Sequence, residues 1–299
     1  MKILIVGSKG QLGRELAEIL ETGKADIGPV DVRYTGAEVL AADVDTLDIT
    51  DAPALDVFIS RHKPDVIFNC SAYTNVDKAE EEEESAFKIN AEGCLNLALS
   101  AAKSGSKLLS VSTDYVFDGT ADKPYAESDL PNPQNVYGKS KLLGERNIAE
   151  HMEKYFIVRT AWLYGMSGKN FVRTMLRLGA ERDVITVVGD QFGSPTNAND
   201  LAFHMLSVAL TENYGVYHCT GNGVCSWYDF AKRIIEKSGL RAKVVECTSA
   251  EYPSKVKRPP YSALENKRLS ETVGDKMRDW KDAIDCFLAK IKAKESGAE

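Results

Sequence analysis

Tyr137 and Lys141 stand four residues apart in VYGKSKLLGE, residues 136–145. On a helix that spacing puts both side chains on one face. A phenol paired with an ammonium can hand a proton to a developing alkoxide, because the positive charge favours the phenolate left behind. The spacing alone decides nothing, since WYDFAK repeats it with Tyr228 and Lys232. What separates the two pairs is their company. KLLSVST (107–113) reads as a strand ending in Ser112 and Thr113, followed by Asp114 and Tyr115. Ligands of open α/β sheets bind at the carboxyl ends of strands, so the Thr113 hydroxyl can meet a substrate carbonyl there, with Asp114 beside it. Thr113, Tyr137 and Lys141 together suit reduction of a ketone, with hydride arriving at carbon and a proton at oxygen. No strand end precedes Tyr228. It lies among Trp227, Phe230, Ile234 and Ile235 and reads as part of an amphipathic helix on a second domain.

A hydride needs a carrier. KILIV (2–6) is a continuous apolar run, as expected of a strand buried on both faces. It runs into GSKGQLG, which places Gly7, Lys9, Gly10, Gln11, Leu12 and Gly13 at a strand–turn–helix junction. Glycine lets the backbone approach a pyrophosphate, and the helix start offers free N–H groups. A tight turn with no ligand would use the same glycines. Asp31 follows at about the distance where an acid takes ribose hydroxyls, which favours NAD. Arg33 and Lys9 could neutralise a 2′-phosphate, so the carrier is NADPH or NADH. Asp48 and Ile49, in TLDITD, suit an adenine cradle, or Thr50 or Asp51 caps a helix there. Cys70, Ser71 and Ala72 put small residues at the end of a third strand.

The elements that must position these residues alternate. Strands are expected at 2–6, 65–72, 107–113 and 155–162, with helical stretches at 11–21, 51–62, 79–103 and 138–153. That alternation predicts an α/β fold with a doubly wound parallel sheet. The second strand is placed at 25–32, where Gly28 and Pro29 weaken it, and 33–48 reads as a long connection. The acidic run Glu80–Glu84 reads as a solvated first helical turn. Beyond residue 163, GMSGKN, GDQFGSPTN and YPSKVKRPPYS look like loops of a smaller domain that shapes a pocket.

Composition excludes several classes. A hydrophobic share of 43% with 27% charged residues is that of a soluble globular chain. No apolar run approaches the ~20 residues of a membrane span. The amino terminus resembles a signal peptide for only six residues, so a cytoplasmic protein with no membrane contact is expected. A net charge of −7 argues against nucleic-acid binding. Six scattered cysteines and four histidines show neither C-x-x-C nor zinc-ligand spacing, so no disulfide and no zinc are expected.

GSKGQLG, NCSAYTNVDKAE, STDYVFDG, NVYGKSKLLGE, RTAWLYG, DQFGSPT and KRPPYSALENKRL, in that order, resemble the extended short-chain dehydrogenase/reductases. Within them the chain is most similar to the dTDP-4-dehydrorhamnose reductase family, from Met1 to about Leu269. The resemblance implies a Rossmann domain (1–163 and 187–217) and a smaller substrate-binding α/β domain (164–186 and 218–299). It implies a dTDP-sugar substrate whose C4 ketone is reduced with NADPH or NADH, and Thr113, Tyr137 and Lys141 as the catalytic trio. By position, Trp162 packs on the sugar, Asn170 and Phe171 line the pocket, and Gln191 and Pro195 belong to a loop over it. Arg258 suits the diphosphate, a task for a bidentate fork, with Lys255 and Lys257 adding charge. Asn90 matches an asparagine that supports the lysine through water, or it bridges a helix kink. Some family members form dimers around magnesium; Glu15 matches one ligand and no others are found, so no metal is expected and a homodimer stays open. Two alternatives remain. One is reduction of another 4-keto-6-deoxy sugar nucleotide; the other is a non-catalytic NADP-binding regulatory subunit, which would have no need of the full trio.

Overall fold

The computed structural model describes residues 1–252 and 256–297; Lys255 lies outside them. The chain opens with β1 (Lys2–Val6), whose Ile3, Leu4 and Ile5 are fully buried. Then follow α1 (Gln11–Thr22), β2 (Glu38–Ala42), α2 (Ala52–His62), β3 (Val66–Asn69), α3 (Gly93–Ser104), β4 (Lys107–Thr113), α4 (Val136–His151) and β5 (Tyr155–Thr160). After α5 (Phe171–Glu181) and β6 (Val184–Val188), the chain returns through α6 (Ala198–Ala209) and β7 (Gly215–His218). It ends with α7 (Trp227–Ser238), β8 (Lys243–Cys247), α8 (Lys267–Val273) and α9 (Trp280–Glu295).

Six parallel strands form the main sheet in the order β7-β5-β4-β3-β1-β2. Leu12, Leu16 and Ile19 of α1 and Leu201 and Leu206 of α6 bury one face. Leu55 and Ile59 of α2, Leu97 and Ala98 of α3, and Ile148 of α4 bury the other. Helices on both faces make the sheet doubly wound. Strand order reverses between β1 and β3, so the crevice above their carboxyl ends is the expected ligand position. A second core gathers Tyr164, Val172, Ile185, Val187, Phe230, Ile234 and Phe287, and β6 pairs with β8 beside it. The two cores interleave along the chain. His218 closes a strand of the main sheet, β6 belongs with the second core, and Leu269 of α8 and Met277 join the first.

Two expectations need correction. Residues 25–32 form no strand of the sheet; Lys24–Ala25 and Gly28–Pro29 make a minimal antiparallel pair instead. Gly28 sits at φ 142 and Pro29 has no N–H to donate. The second strand is β2, inside what reads as a long connection, paired with β1 from Lys2↔Glu38 to Val6↔Ala42. The helix expected over 79–103 is broken into Val76–Ala79, Glu83–Phe87, a wide π turn at Lys88–Glu92, and α3. Asn90 accounts for the break. Its side chain bonds both backbone groups of Tyr73 and donates to Ser140 of α4. Its carbonyl lies where a Cβ on Gly144 would come within 2.1 Å.

Candidate active site

The glycine loop is shaped by close approach. Gly7 has φ 76, and a Cβ there would stand 2.7 Å from the Ser71 nitrogen. A Cβ on Gly13 would stand 2.3 Å from the Gly7 carbonyl. Bare backbone therefore faces the end of β1, next to the start of α1. A cavity of about 590 Å³ lies there, lined by Gly7, Lys9, Gly10, Asp48, Ile49, Cys70, Ser71 and Ala72. This cradle fits a dinucleotide: free backbone at a helix start for the pyrophosphate, and Ile49 with Leu47 as apolar walls for an adenine. Gln11, Leu12 and Gly13 stand behind the lining. Leu12 is buried in the core, Gly13 packs on Gly7, and Gln11 accepts a hydrogen bond from Asn170 at 2.8 Å.

Asp31 and Arg33 belong elsewhere. They pair with each other in a 3₁₀ turn, where Arg33 pulls the Asp31 carboxyl down to about 2. That turn leads into the amino end of β2, where Glu38 bonds Met1. It therefore sits at the edge of the sheet opposite Gly7. The acid that does follow the second strand is Asp43. Its Oδ2 accepts the Lys9 backbone N–H at 2.8 Å, and the Lys9 ammonium pairs with Asp45.

At the end of β4, the Thr113 hydroxyl donates to Asp114 Oδ1 at 2.9 Å and accepts the Tyr115 N–H at 3.2 Å. Tyr137 lies in the first turn of α4, which Asn135 caps by accepting the Gly138 N–H. Glu80 accepts the Val136 N–H at 2.8 Å, and Glu82 accepts the Tyr73 hydroxyl. The acidic run is thus not merely solvated: two of its carboxylates hold the site's frame. A Cβ on Gly138 would fall 2.2 Å from the Tyr115 carbonyl, so α4 presses directly on the turn after β4. Burial raises the proton affinity of the Tyr137 phenol; the nearby Thr113 hydroxyl opposes this, and the Asp114 and Tyr115 groups add to it. The Lys141 ammonium donates to the Val111 carbonyl at 2.6 Å, and burial depresses its pKa. Burial also pushes the Asp114 carboxyl up to about 6, against the pull of the Ser262 and Thr113 hydroxyls.

A larger cavity, about 1000 Å³, opens beside this cluster, and Gln191, Phe171, Trp227 and Arg258 line it. Arg258 pairs with Asp77 at 2.9 Å and acts on the Tyr115 phenol, whose ring meets that of Tyr137 edge-on at 5.6 Å. Trp162 is not on the wall. It stacks on Trp227 at 3.5 Å with a positive φ of 47, and Trp227 faces the cavity. Asn170 caps α5 and ties it to Gln11 and Gly165, which occupies its amide. Pro195 packs its carbonyl against Gly221, away from the wall. Glu15 is buried and accepts from Met166 and Asn199; among the described residues no three His, Cys, Asp or Glu side chains gather as metal ligands. Tyr228 and Lys232 sit on the side of α7 away from the second core, where the Lys232 ammonium lies over the Tyr228 ring.

Residues 1–293 match the family described as the RmlD substrate binding domain. The chain belongs to that family. It is 43% identical to a dTDP-4-dehydrorhamnose reductase of Aggregatibacter actinomycetemcomitans, over 95% of this chain and 97% of that one. A crystal structure of a dTDP-4-dehydrorhamnose reductase from Clostridium acetobutylicum superposes with a TM-score of 0.91 at 46% identity, covering 98% of this chain and all of that one. The corresponding Bacillus anthracis structure, in complex with NADP, gives 0.90 at 38% identity, covering 97% and 99%.

Several site residues escaped the sequence reading. Asp43 had a usable signal, an acid directly after the four apolar residues Val39–Ala42. Glu80, Trp227 and Ser262 had none, because each acts on a partner far along the chain. Among the described residues no helix is long and apolar enough to cross a membrane.

Proposed function

We propose that this chain reduces the C4 ketone of dTDP-4-dehydro-L-rhamnose to dTDP-L-rhamnose, with NADPH or NADH as the reductant. The observation that carries this reading is the placement of Thr113 at the carboxyl end of β4 beside the first turn of α4, which carries Tyr137 and presses on the Tyr115 carbonyl, on the same side of the sheet as the glycine cradle. Family membership and the names of the relatives support it, and the NADP in the Bacillus anthracis structure supports the cofactor class.

When bound, a reduced nicotinamide supplies the hydride. The chain's residues do the rest. Gly7, Gly10 and the start of α1 hold the pyrophosphate, and Asp48 with Ile49 borders the adenine. Thr113 fixes the ketone oxygen by turning its hydroxyl proton from Asp114 toward it. Tyr137 gives that oxygen its proton, a general-acid role worth about 10²–10⁴ in rate. Its phenol is a poor acid in this buried setting, so Lys141 must favour the phenolate as the proton leaves. Lys141 has two N–H bonds beyond the one to Val111 with which to do so, and to hold a ribose hydroxyl. Arg258 exchanges Asp77 for the substrate diphosphate, while Gln191 borders the same cavity.

The test is oxidation of NADPH and NADH by purified protein with the dTDP-4-keto sugar. Tyr137→Phe is expected to lose about 100-fold or more in turnover while still binding cofactor. Tyr228→Phe is expected to retain turnover. An unimpaired Tyr137→Phe enzyme would sink the mechanism, and a collapse in Tyr228→Phe would mean the other pair is the reactive one.

A further inference from the structure

Helix α4 carries a third residue on the stripe of Tyr137 and Lys141. Glu145 lies one turn beyond Lys141, with only 6% of its surface exposed. Arg159 of β5, equally buried, grips it with both prongs, Nε at 2.9 Å and Nη2 at 2.7 Å. Arg159 is itself held in place. Its guanidinium lies over the Phe117 ring, and Nη1 stands 3.4 Å from His218 Nε2. His218 Nδ1 is bonded to the Tyr125 carbonyl, and burial beside Arg159 keeps that imidazole neutral. In the sheet, Arg159 is the partner of Ser112, and its neighbour Thr160 is the partner of Thr113. The clamp thus joins the catalytic stripe to the two strand ends that carry the hydroxyls.

We infer that Glu145 is a positioning residue for the reaction: gripped by Arg159, it sets the depth of the Tyr137–Lys141 face against β4 and is the counter-charge behind Lys141. This rests on the reductase reading for its purpose, though not for its geometry. Two facts support the electrostatic half. Lys141 is buried, and the Glu145 carboxylate, one turn along the same helix, acts on it alongside the thiols of Cys94 on α3 and Cys70 after β3. Glu145 favours the ammonium, whereas burial opposes it more strongly. The Val111 carbonyl accepts its hydrogen bond at 2.6 Å.

A buried ion pair that merely held helix to sheet would lose stability when either partner was changed, and nothing more. A counter-charge behaves differently, because the two partners act on Lys141 with opposite sign. Glu145→Gln removes the negative charge and leaves Arg159 positive, so Lys141 should lose its proton at lower pH, by roughly one pH unit. Arg159→Gln leaves Glu145 without its neutralising partner, so Lys141 should hold its proton to higher pH. The double variant Glu145→Gln/Arg159→Gln keeps the shape of the pair with no charge, and guards against a single variant that does not fold.

The readout is NMR of protein labelled with ¹³Cε-lysine, titrated without cofactor or substrate, with Lys141→Met to assign the signal. The same variants are then assayed for the pH dependence of kcat and for KM. Expected are opposite displacements of the Lys141 titration in the two single variants, an intermediate position in the double variant, and a matching displacement of the basic limb of kcat with KM changed less than threefold. Titrations that stay together, or move the same way in both single variants, overturn the inference and leave the pair a structural clamp. Displaced titrations in a protein that reduces no keto sugar would retain the counter-charge, overturn its catalytic purpose, and fault the reductase reading.

Discussion

Asp114 offers a direct measure of what the site costs the fold. Its carboxyl is almost wholly buried and stands beside Thr113 at the end of β4. Oδ1 accepts the Thr113 hydroxyl; Oδ2 makes no hydrogen bond of good geometry, although the Ser262 hydroxyl acts on it. The carboxyl rises from 3.8 to about 6. At 1.36 kcal/mol per tenfold change in proton affinity, that gap is about 3 kcal/mol. The sign follows from linkage. Between about pH 4 and 6 the folded chain holds a proton that the unfolded chain has released, so stability falls as pH rises through that window. Above about pH 6 the full cost of a buried carboxylate is present; well below pH 4 it vanishes.

Asp114→Asn removes the charge and keeps an acceptor for Thr113. At pH 7.5 the variant should be more stable by up to ~3 kcal/mol. With an unfolding entropy of about 2 cal/mol/K per residue over 299 residues, the gain is about 5 °C in Tm. At pH 5, inside the window, the gain should be about half as large. Thermal unfolding followed by circular dichroism at the two pH values reads both quantities. Turnover should fall, because the partner of the Thr113 hydroxyl has lost its charge; a more stable and poorer enzyme is the expected trade. A Tm gain that is absent, or equal at both pH values, would refute the assignment of the cost to a buried carboxylate at this position.

Two other perturbations probe the frame. Asp43→Ala should weaken cofactor binding about tenfold or more, because Asp43 fixes the Lys9 backbone at the glycine loop; Asp31→Ala and Arg33→Ala, at the far edge of the sheet, should stay within about twofold. Fluorescence titration with NADPH and NADH checks this, and a larger effect from Asp31 than from Asp43 would overturn the placement of the second strand. Gly138→Ala puts a methyl 2.2 Å from the Tyr115 carbonyl, so α4 must move. Stability should drop by about 1–3 kcal/mol, with turnover lost beyond what unfolding explains, as read by denaturant melts alongside kcat.

Where the sequence was legible, burial and chemistry coincided locally. KILIV declared itself because a strand in mid-sheet is apolar on both faces. EVLAA did not, because β2 is an edge strand, only partly buried, with two alanines in place of β-branched residues. Moving the strand moved the acid: an argument from distance along the chain chose Asp31, while the sheet's register chooses Asp43. Thr113 and Tyr137 could be paired from residue type and element order. Arg258–Asp77, Glu80–Val136 and Arg159–Glu145 could not. They join positions 181, 56 and 14 residues apart, and no local pattern encodes such a contact.

The unsatisfied polar atoms sharpen the same point. Among the described residues the buried side-chain atoms without a hydrogen bond are Ser112 Oγ, Asp114 Oδ2, Thr160 Oγ1 and Tyr164 OH. Three of them flank Thr113 at the carboxyl ends of β4 and β5, where Ser112 pairs with Arg159 and Thr113 with Thr160. A fold selected for stability alone would partner or remove such groups, since each costs about 1–3 kcal/mol. Trp162, with its left-handed backbone, follows two residues after Thr160. Strain, orphaned hydroxyls and a destabilised carboxylate therefore meet at one edge of one sheet. That edge is also where the glycine cradle opens and where α4 presents Tyr137. Polar groups left unpaired and a strained backbone cost stability and persist where the surrounding structure holds them, and the residues that break the rules of stability mark where the reactive end of this crevice will lie.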